Sequence, residues 1–407
     1  MPSTGVYQLT DALIRRAGFT DLSRIKIYGY GGNLQNETLT AEDLIAEDDL
    51  KEVATCKAGG KRLFYAKGPV SWESNTATRR TRNPYSNYGY YFLTESDAEP
   101  LSVDSATFVS SFYPSADDYH SLYEQEGYSW YQGGRNLFDP EATAAGSTRK
   151  IVLTNPALSD NTADRGGTLS VCVAAATASR VSVSLNGTTL GELSITLSSY
   201  DAGNQAIGTW NVDQLLPSDT VSITCTSGGP IRLDYTSMAW KTPKATPRLS
   251  AITATPEYVY NITPQDHHAD PAADMVIIIP TSQKYRDQAE RLAAFHESHD
   301  AMRVNIVPAD ELYNEFSSGT PDANAYRRYL KMLYDRATTE ADMPRYLLLM
   351  GDCMWDNRML TPACSNLSAD DYLLCYESEN SFNDVYCYVD DGFFALLDDG
   401  EGGNPLS

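Results

Sequence analysis

The first part of the chain carries short runs in which apolar and polar residues alternate, and this pattern predicts mainly β structure. Around residues 9–17 the apolar positions fall on one helical face, which predicts a short helix. The glycine-rich stretch at 29–32 is not followed by a helix pattern, so we interpret it as a turn and not as a dinucleotide site. We expect residues 1–145 to form a mixed, mainly β domain, with strands at residues 24–28, 62–65 and 88–93.

Residues 150–243 contain 25 serine and threonine residues and little charge. Short alternating runs recur along this segment and predict β-strands. Asn186 and Gly187 lie between two of the runs and favour a tight hairpin, because both positions of such a turn need a positive φ. The segment is typical of an antiparallel β-sandwich, with strands expected at residues 150–153, 167–173, 180–185, 191–197 and 220–225.

Residues 244–273 have no clear hydrophobic period and several prolines, so we interpret them as a linker. His267 and His268 lie in this linker, and we expect both side chains to be solvated.

From residue 274 the pattern changes. Continuous apolar runs alternate with segments in which apolar residues recur at helical spacing. The runs at 275–279, 303–307 and 346–350 predict strands covered on both faces. Thr320 and Pro321 predict an N-cap followed by proline in the first helical turn. Because strand, helix, strand, helix, strand is the order of a doubly wound parallel sheet, we expect residues 274–407 to hold the first half of such an α/β domain, with an exposed edge strand.

Charge excludes some classes of partner. The formal net charge of the 407 residues is −23, and residues 274–407 contribute 24 acidic against 10 basic side chains. This balance disfavours nucleic acid and anionic membranes, and it fits a secreted protein, cation binding, a cationic partner or solubility alone. No apolar run reaches the roughly 18–20 residues of a membrane span, and the start lacks the pattern of a signal peptide.

The cysteines show no spacing typical of a zinc site. Cys172 and Cys225 lie in two strands predicted for the sandwich, where they form either a disulfide bridge or two separate buried thiols. The seven cysteines are Cys56, Cys172, Cys225, Cys353, Cys364, Cys375 and Cys387.

Candidate chemistry lies beyond the carboxyl end of the third parallel strand, where sites gather in such sheets. Cys353 follows that strand and is either a nucleophile or a packed thiol. His296 and His299 lie at the far end of the preceding helix, which places them at the opposite side of the sheet. Their i, i+3 spacing suits a shared metal, but the helix dipole also favours histidines at this end.

The end of the chain is rich in carboxylates and glycine. We define the acidic tail by five residues whose oxygen atoms suit calcium, although their spacing is not that of an EF-hand. The alternative is that they are solvated loop carboxylates. The acidic tail comprises Asp390, Asp391, Asp398, Asp399 and Glu401.

Seven segments together resemble the type IX secretion sortases of the gingipain-like cysteine peptidase family, in family order. Four resemble the region that precedes the peptidase domain, and three resemble the first half of the caspase/gingipain-like fold. They are GVYQLT at 5–10, IYGYGG at 27–32, FYAKGP at 64–69, NPYSNYGYYFL at 83–93, YLLLMGD at 346–352, YESENS at 376–381 and DDGFFALLDDG at 390–400.

The resemblance implies a cell-surface enzyme of Bacteroidetes-type bacteria that removes C-terminal secretion signals from cargo proteins and works with outer-membrane secretion components. The family uses a histidine in a Gly-His-Gly turn and a cysteine at the end of a later strand. No Gly-His-Gly occurs in this sequence, so neither catalytic residue can be assigned here. We therefore expect the N-terminal part of such an enzyme, inactive by itself. It should require no cofactor, and the acidic tail is a candidate site for calcium.

Two non-enzymatic alternatives remain open from the sequence. The first is a surface adhesion or glycan-binding module, in which tyrosine rings stack on sugars. The second is a scaffold that docks to the secretion machinery. The tyrosines of the glycan hypothesis are Tyr85, Tyr88, Tyr90 and Tyr91.

Overall fold

The computed structural model describes residues 1–403. Its N-terminal region is built around a four-stranded sheet in the order β1-β5-β4-β9, flanked by strand pairs β2-β8 and β6-β7. The elements are β1 (Gly5–Leu9), α1 (Asp11–Arg16), β2 (Ile25–Tyr28), β3 (Thr38–Leu39), α2 (Ala41–Asp48), β4 (Thr55–Ala58), β5 (Lys61–Ala66), β6 (Val70–Ser71), β7 (Thr81–Arg82), β8 (Phe92–Glu95), β9 (Ser102–Val103), α3 (Ser105–Ser110) and β10 (His120–Glu124).

The central region is an antiparallel β-sandwich. One sheet has the order β10-β17-β12-β15 and the other β11-β16-β13-β14, and apolar side chains of both fill the space between them. The first strand of the sandwich, β10, therefore lies well before residue 150, where we predicted this segment to begin. The remaining strands are β11 (Thr148–Thr154), β12 (Gly167–Ala175), β13 (Ser179–Leu185), β14 (Thr188–Ile195), β15 (Asn204–Val212), β16 (Ser218–Ser227) and β17 (Ile231–Trp240).

The hairpin between β13 and β14 forms as predicted. Asn186 has a φ of 50° and Gly187 a φ of 86°, so both turn positions are left-handed. Cys172 and Cys225 are two separate buried thiols. Cys225 packs in the sandwich core, whereas the Cys172 thiol bonds to the Gln205 amide at 3.4 Å on the other face of its strand, so the two cannot bridge.

The C-terminal region is a three-stranded parallel sheet in the order β19-β18-β20, with helices on both faces. Alternate residues of β18 explain this arrangement: Ile277 packs with α4, and Ile278 packs with α5 and α6. Strand β20 lies at an edge of the sheet, and its Tyr346 is 54% exposed. The elements are β18 (Met275–Ile279), α4 (Arg286–His299), β19 (Val304–Pro308), α5 (Ala309–Phe316), α6 (Asn324–Asp335), β20 (Tyr346–Leu349) and β21 (Glu401–Gly402), which pairs with β3.

The predicted fold class is thus confirmed. A mainly β N-terminal region with an antiparallel sandwich is followed by the start of an α/β domain. The domain limits themselves stay predictions. None of the helices formed by residues 1–403 combines the length and apolar character needed to cross a bilayer.

The predicted N-cap at Thr320 is wrong. Helix α6 begins at Asn324, whose backbone N–H donates to the Asp322 side chain at 2.9 Å. The Thr320 hydroxyl instead donates to the Gly31 carbonyl at 3.0 Å and accepts from the backbone of Tyr90 at 3.3 Å. These tertiary bonds occupy the Thr320 hydroxyl, so it does not cap the helix. The Tyr90 N–H donates to Thr320, and β8 begins only at Phe92.

The expectation that His267 and His268 are solvated is also wrong. His267 lies between the carboxylates of Asp270, at 2.9 Å, and Glu311, at 2.7 Å. His268 bonds to Glu315 at 2.7 Å. The linker therefore packs along α5, where the two acidic side chains of the helix bind the histidines.

Candidate functional site

The carboxyl edge of the parallel sheet places Cys353 on an exposed surface. The chain leaves β20, passes Asp352 and reaches Cys353, which forms a parallel bridge with Leu373. The Leu373 N–H donates to the Asp352 carbonyl at 2.9 Å and fixes this crossing. Cys353 is exposed, so the packed-thiol interpretation is wrong for this residue.

A second thiol lies beside Cys353. Cys375 is buried, and its Sγ lies 3.6 Å from the Met354 carbonyl, next along the chain from Cys353. A hydrogen bond from Cys375 to Cys353 lowers the pKa of Cys353 to about 7, because it stabilises the thiolate against burial and the charge of Asp391. The same contact, together with burial, raises the pKa of Cys375.

No histidine is among the groups that perturb Cys353 in the described part of the chain, so the site holds no visible Cys–His pair. His296 and His299 bond to Asp300 at 2.7 and 2.9 Å at the end of α4. Within residues 1–403, no three histidine, cysteine or acidic side chains are arranged to hold a metal ion. His296 and His299 therefore form an exposed hydrogen-bonded cluster with Asp300.

A buried ion pair joins the loop beyond Cys353 to the segment that follows β10. Both terminal nitrogens of Arg358 bond to the Glu126 carboxylate, each at 2.6 Å, and Arg82 lies 3.1 Å from the same group. Burial lowers the pKa of Arg358, but the charge and hydrogen bonds of Glu126, with the charges of Glu124 and Asp356, together outweigh burial and raise this pKa overall. Burial raises the pKa of Glu126, but the charge and hydrogen bonds of Arg358, with the charges of Arg82 and Arg80, together outweigh burial and lower this pKa overall.

A second buried pair lies near the first. Arg135 binds Glu37 through two hydrogen bonds of 3.0 Å and also donates to the Glu377 carbonyl at 2.9 Å. The Glu377 side chain accepts from Asn357 at 2.8 Å, and burial raises its pKa well above the usual value. Because these pairs use residues from all three regions, they hold the α/β segment against the β domains.

The acidic tail is not one cluster. Asp391 lies near Cys353 at the carboxyl edge of the sheet, and Asp390 caps the Gly392 N–H at 2.7 Å. Three residues lie at the other end, by the start of β20: Asp399 binds Lys331 at 2.8 Å, Asp398 accepts from Tyr334 at 2.8 Å, and Glu401 accepts from the Asp398 N–H at 3.0 Å. Calcium binding by the tail stays a prediction.

The tyrosines of the glycan hypothesis do not form an exposed platform. Tyr85 is buried and bonds to Glu37, and the Tyr91 hydroxyl accepts from the backbone of Lys67 at 2.9 Å. Among these four rings, only Tyr88 is exposed by half. Tyr85 and Tyr91 therefore serve packing, and the hypothesis loses the four-ring surface on which it depended.

The sequence did not indicate the thiol pair or the two buried ion pairs. Cys353 and Cys375 are 22 positions apart with no motif between them. Each arginine of the ion pairs is more than 90 positions from its carboxylate. The only signal available was the presence of charged residues inside otherwise apolar or glycine-rich stretches, and this does not identify a partner.

Part of the sequence and the fold of the whole chain are similar to those of known proteins. Residues 268–405 match the model of peptidase family C25. The chain is similar to the crystal structure of dimeric latent PorU from Porphyromonas gingivalis, with 26% identity and a TM-score of 0.77. The match covers 98% of this chain and 45% of that chain, so this chain spans less than half the length of that protein. The resemblance to gingipain-like cysteine peptidases is therefore confirmed.

Other solved structures match about a third of this chain. A family 35 carbohydrate-binding module from an environmental isolate matches 31% of this chain and 99% of its own, at 14% identity and a TM-score of 0.24. CBM35 from Cellvibrio japonicus Abf62 matches 31% of this chain and 98% of its own, at 14% identity and a TM-score of 0.21. Scores this low carry no functional inference. No curated protein sequence matches the chain significantly.

Proposed function

We propose that this chain, whose residues 268–405 match peptidase family C25, is the N-terminal part of a cell-surface cysteine peptidase of the type IX secretion sortase type. In this proposal the complete enzyme removes C-terminal secretion signals from exported cargo proteins. The observation that carries the proposal is the whole-chain similarity to PorU, which extends over both β regions as well as the α/β segment. A peptidase segment alone would not account for the match to residues 1–267.

The described residues form the framework of the site but do not provide the thiolate–base pair that the reaction needs. Cysteine peptidases need a thiolate and a base within hydrogen-bond reach of each other. Cys353 has a thiol neighbour and carboxylates around it, and no histidine among them. We therefore infer that the chain by itself does not cleave peptides.

The β regions hold the α/β segment in position. The Arg358–Glu126 and Arg135–Glu37 pairs cross between regions with little exposure to solvent. Buried pairs of this kind fix one arrangement, because any shift leaves a charge buried without a partner. In the proposed enzyme, this contact orients the carboxyl edge of the parallel sheet toward the cargo.

The test is cleavage of a peptide that carries a cargo C-terminal signal, followed by mass spectrometry. The chain should leave the peptide intact, and a longer product of the same gene that includes a Gly-His-Gly turn and a later strand-end cysteine should cleave it. Cleavage by the chain that is lost in Cys353→Ala, and kept in Cys364→Ala, would refute the inferred inactivity. Failure of the longer product to cleave any such signal would refute the sortase assignment.

A further inference from the structure

We propose that Cys353 and Cys375 form a reversible disulfide that clamps the loop after β20, with an organic disulfide as the oxidant. The site lies outside the family's catalytic pair and needs no metal or cofactor. It is a modification site on the surface of the α/β segment, independent of whether the chain cleaves peptides.

The geometry places the two segments that carry these thiols side by side, although they are distant in sequence. Cys353 pairs with Leu373 in a parallel bridge, so the chain carrying Cys375 runs beside the chain carrying Cys353. The backbone N–H of Cys375 donates to the Asn357 side chain at 3.0 Å, and its Sγ lies 3.6 Å from the Met354 carbonyl. The N–H groups of Leu373 and Cys375, which donate to the Asp352 carbonyl and to the Asn357 side chain, thus hold the two segments in register, and neither thiol is in a disulfide.

The two thiols differ in the way that a disulfide exchange requires. Cys353 is exposed, so a small disulfide can reach it, and Cys375 is buried behind it. The hydrogen bond from Cys375 lowers the pKa of Cys353 to about 7, so a large share of Cys353 is thiolate near neutral pH. Cys375 stays protonated because its pKa is raised. Cys353 is therefore the attacking thiol and Cys375 the resolving thiol.

The exchange proceeds in two balanced steps. The Cys353 thiolate attacks one sulfur of the organic disulfide, a mixed disulfide forms at Cys353 Sγ, and one small thiolate leaves. Cys375 then gives its proton to solvent, and its Sγ attacks Cys353 Sγ and releases the second small thiolate. Two protein thiols are oxidised to one disulfide, and the organic disulfide is reduced to two thiols.

Other cysteines do not compete for this bond. Cys364 lies between the two in sequence, but it is buried, and burial raises its pKa. Cys387 is also buried, with its Sγ 3.6 Å from the Tyr131 carbonyl, and its pKa is raised to about 12. Neither has the exposed, ionised thiol that begins the exchange. Cys364→Ser is therefore a matched control that removes one cysteine of the same segment.

The experiment exposes the full chain to oxidised and reduced glutathione at set ratios at pH 7.5, then blocks free thiols and maps peptides by mass spectrometry without reduction. We expect a cross-linked peptide pair joining Cys353 to Cys375, which disappears when reduced glutathione is in excess. Cys364→Ser should give the same pair. Cys375→Ser should stop at a stable glutathione adduct on Cys353, and Cys353→Ser should remain unmodified at Cys375.

Several results would overturn the proposal. One is a glutathione adduct on Cys353 in the unsubstituted chain with no cross-link at any ratio. Another is a cross-link from Cys353 to Cys364 in place of Cys375. A third is an equal rate of adduct formation at Cys353 and at the buried cysteines, which would show that the thiol has no special reactivity. Circular dichroism of each variant checks that the fold is kept, and a variant that fails this check is replaced by the alanine substitution.

Discussion

Removal of the Arg358 guanidinium should destabilise the contact between the α/β segment and the β regions more than any single surface ion pair does. In Arg358→Met the aliphatic part of the side chain is kept while the charge is lost. Glu126 then loses two hydrogen bonds of 2.6 Å at a site where its side chain is 7% exposed. It is left with Arg82, which lies 3.1 Å away.

The expected loss of stability follows from the burial of the Arg358–Glu126 pair. Loss of one partner of a buried ion pair costs about 3–5 kcal/mol, because the remaining charge stays desolvated without compensation. Arg82 still faces Glu126, so we expect the lower end, about 3 kcal/mol. Arg24→Met is the matched control: Arg24 pairs with Asp97 at 2.6 Å on an exposed surface, where such a pair contributes about 1 kcal/mol or less.

The assay is urea unfolding followed by circular dichroism, with hydrogen exchange on peptides that contain residues 126 and 358 to locate the loss. The variant Arg358→Met/Glu126→Gln should recover part of the stability, since it leaves no buried charge unpaired. Equal shifts for Arg358→Met and Arg24→Met would refute the reasoning. So would a double variant as unstable as the sum of its two single variants.

Four further predictions rest on other parts of the molecule. Burial opposes a charge on His267, but its hydrogen bonds to the Asp270 and Glu311 carboxylates, with the charges of Asp270 and Glu315, outweigh burial and raise its pKa from 6.5 to about 9. The stability that His267 contributes is therefore complete below pH 6.5 and is lost as the pH rises to about 9, and His267→Gln should remove the pH dependence of the urea midpoint across that window. Ile278→Ala, at a fully buried position of β18, should cost about 2–5 kcal/mol in urea unfolding, and a cost under about 1 kcal/mol would contradict the packing described. Gly29→Ala, at a φ of 133°, places a methyl group 2.6 Å from Ser318 Oγ and should lower the melting temperature more than Gly60→Ala, which has the strained φ of 76° without a close contact. If the acidic tail binds calcium, the melting temperature should be higher in calcium than in chelator, and equal values would end that prediction.

The hydrophobic pattern by itself determined most of the elements. The three parallel strands and the hairpin at Asn186 and Gly187 formed where alternation, apolar runs and turn chemistry indicated them, because these signals act within a few residues. The order of strands and helices was enough to identify a sandwich followed by an α/β segment. Strands β15 and β17 and helix α5 were missed, since their apolar positions are interrupted by polar residues that face a partner element.

The tertiary structure decided which distant side chains meet. Thr320 looks like a helix cap in sequence, yet its hydroxyl bonds to Gly31, far away in the chain. His267 and His268 look solvated in a linker, yet α5 supplies carboxylates to both. The acidic tail looks like one cluster, yet its members lie at opposite ends of the sheet.

The physical reason is the range of each interaction. Propensity, capping and periodicity depend on neighbours along the chain, so a single sequence carries them directly. The placement of Cys375 near Cys353 and of Arg358 beside Glu126 depends on how whole elements pack. The energy of such groups depends on their burial, and the local sequence pattern does not predict that burial. The sequence thus determined the elements and the family resemblance, and only the packed structure placed the exposed Cys353 and the buried Cys375 in neighbouring segments at the edge of the sheet.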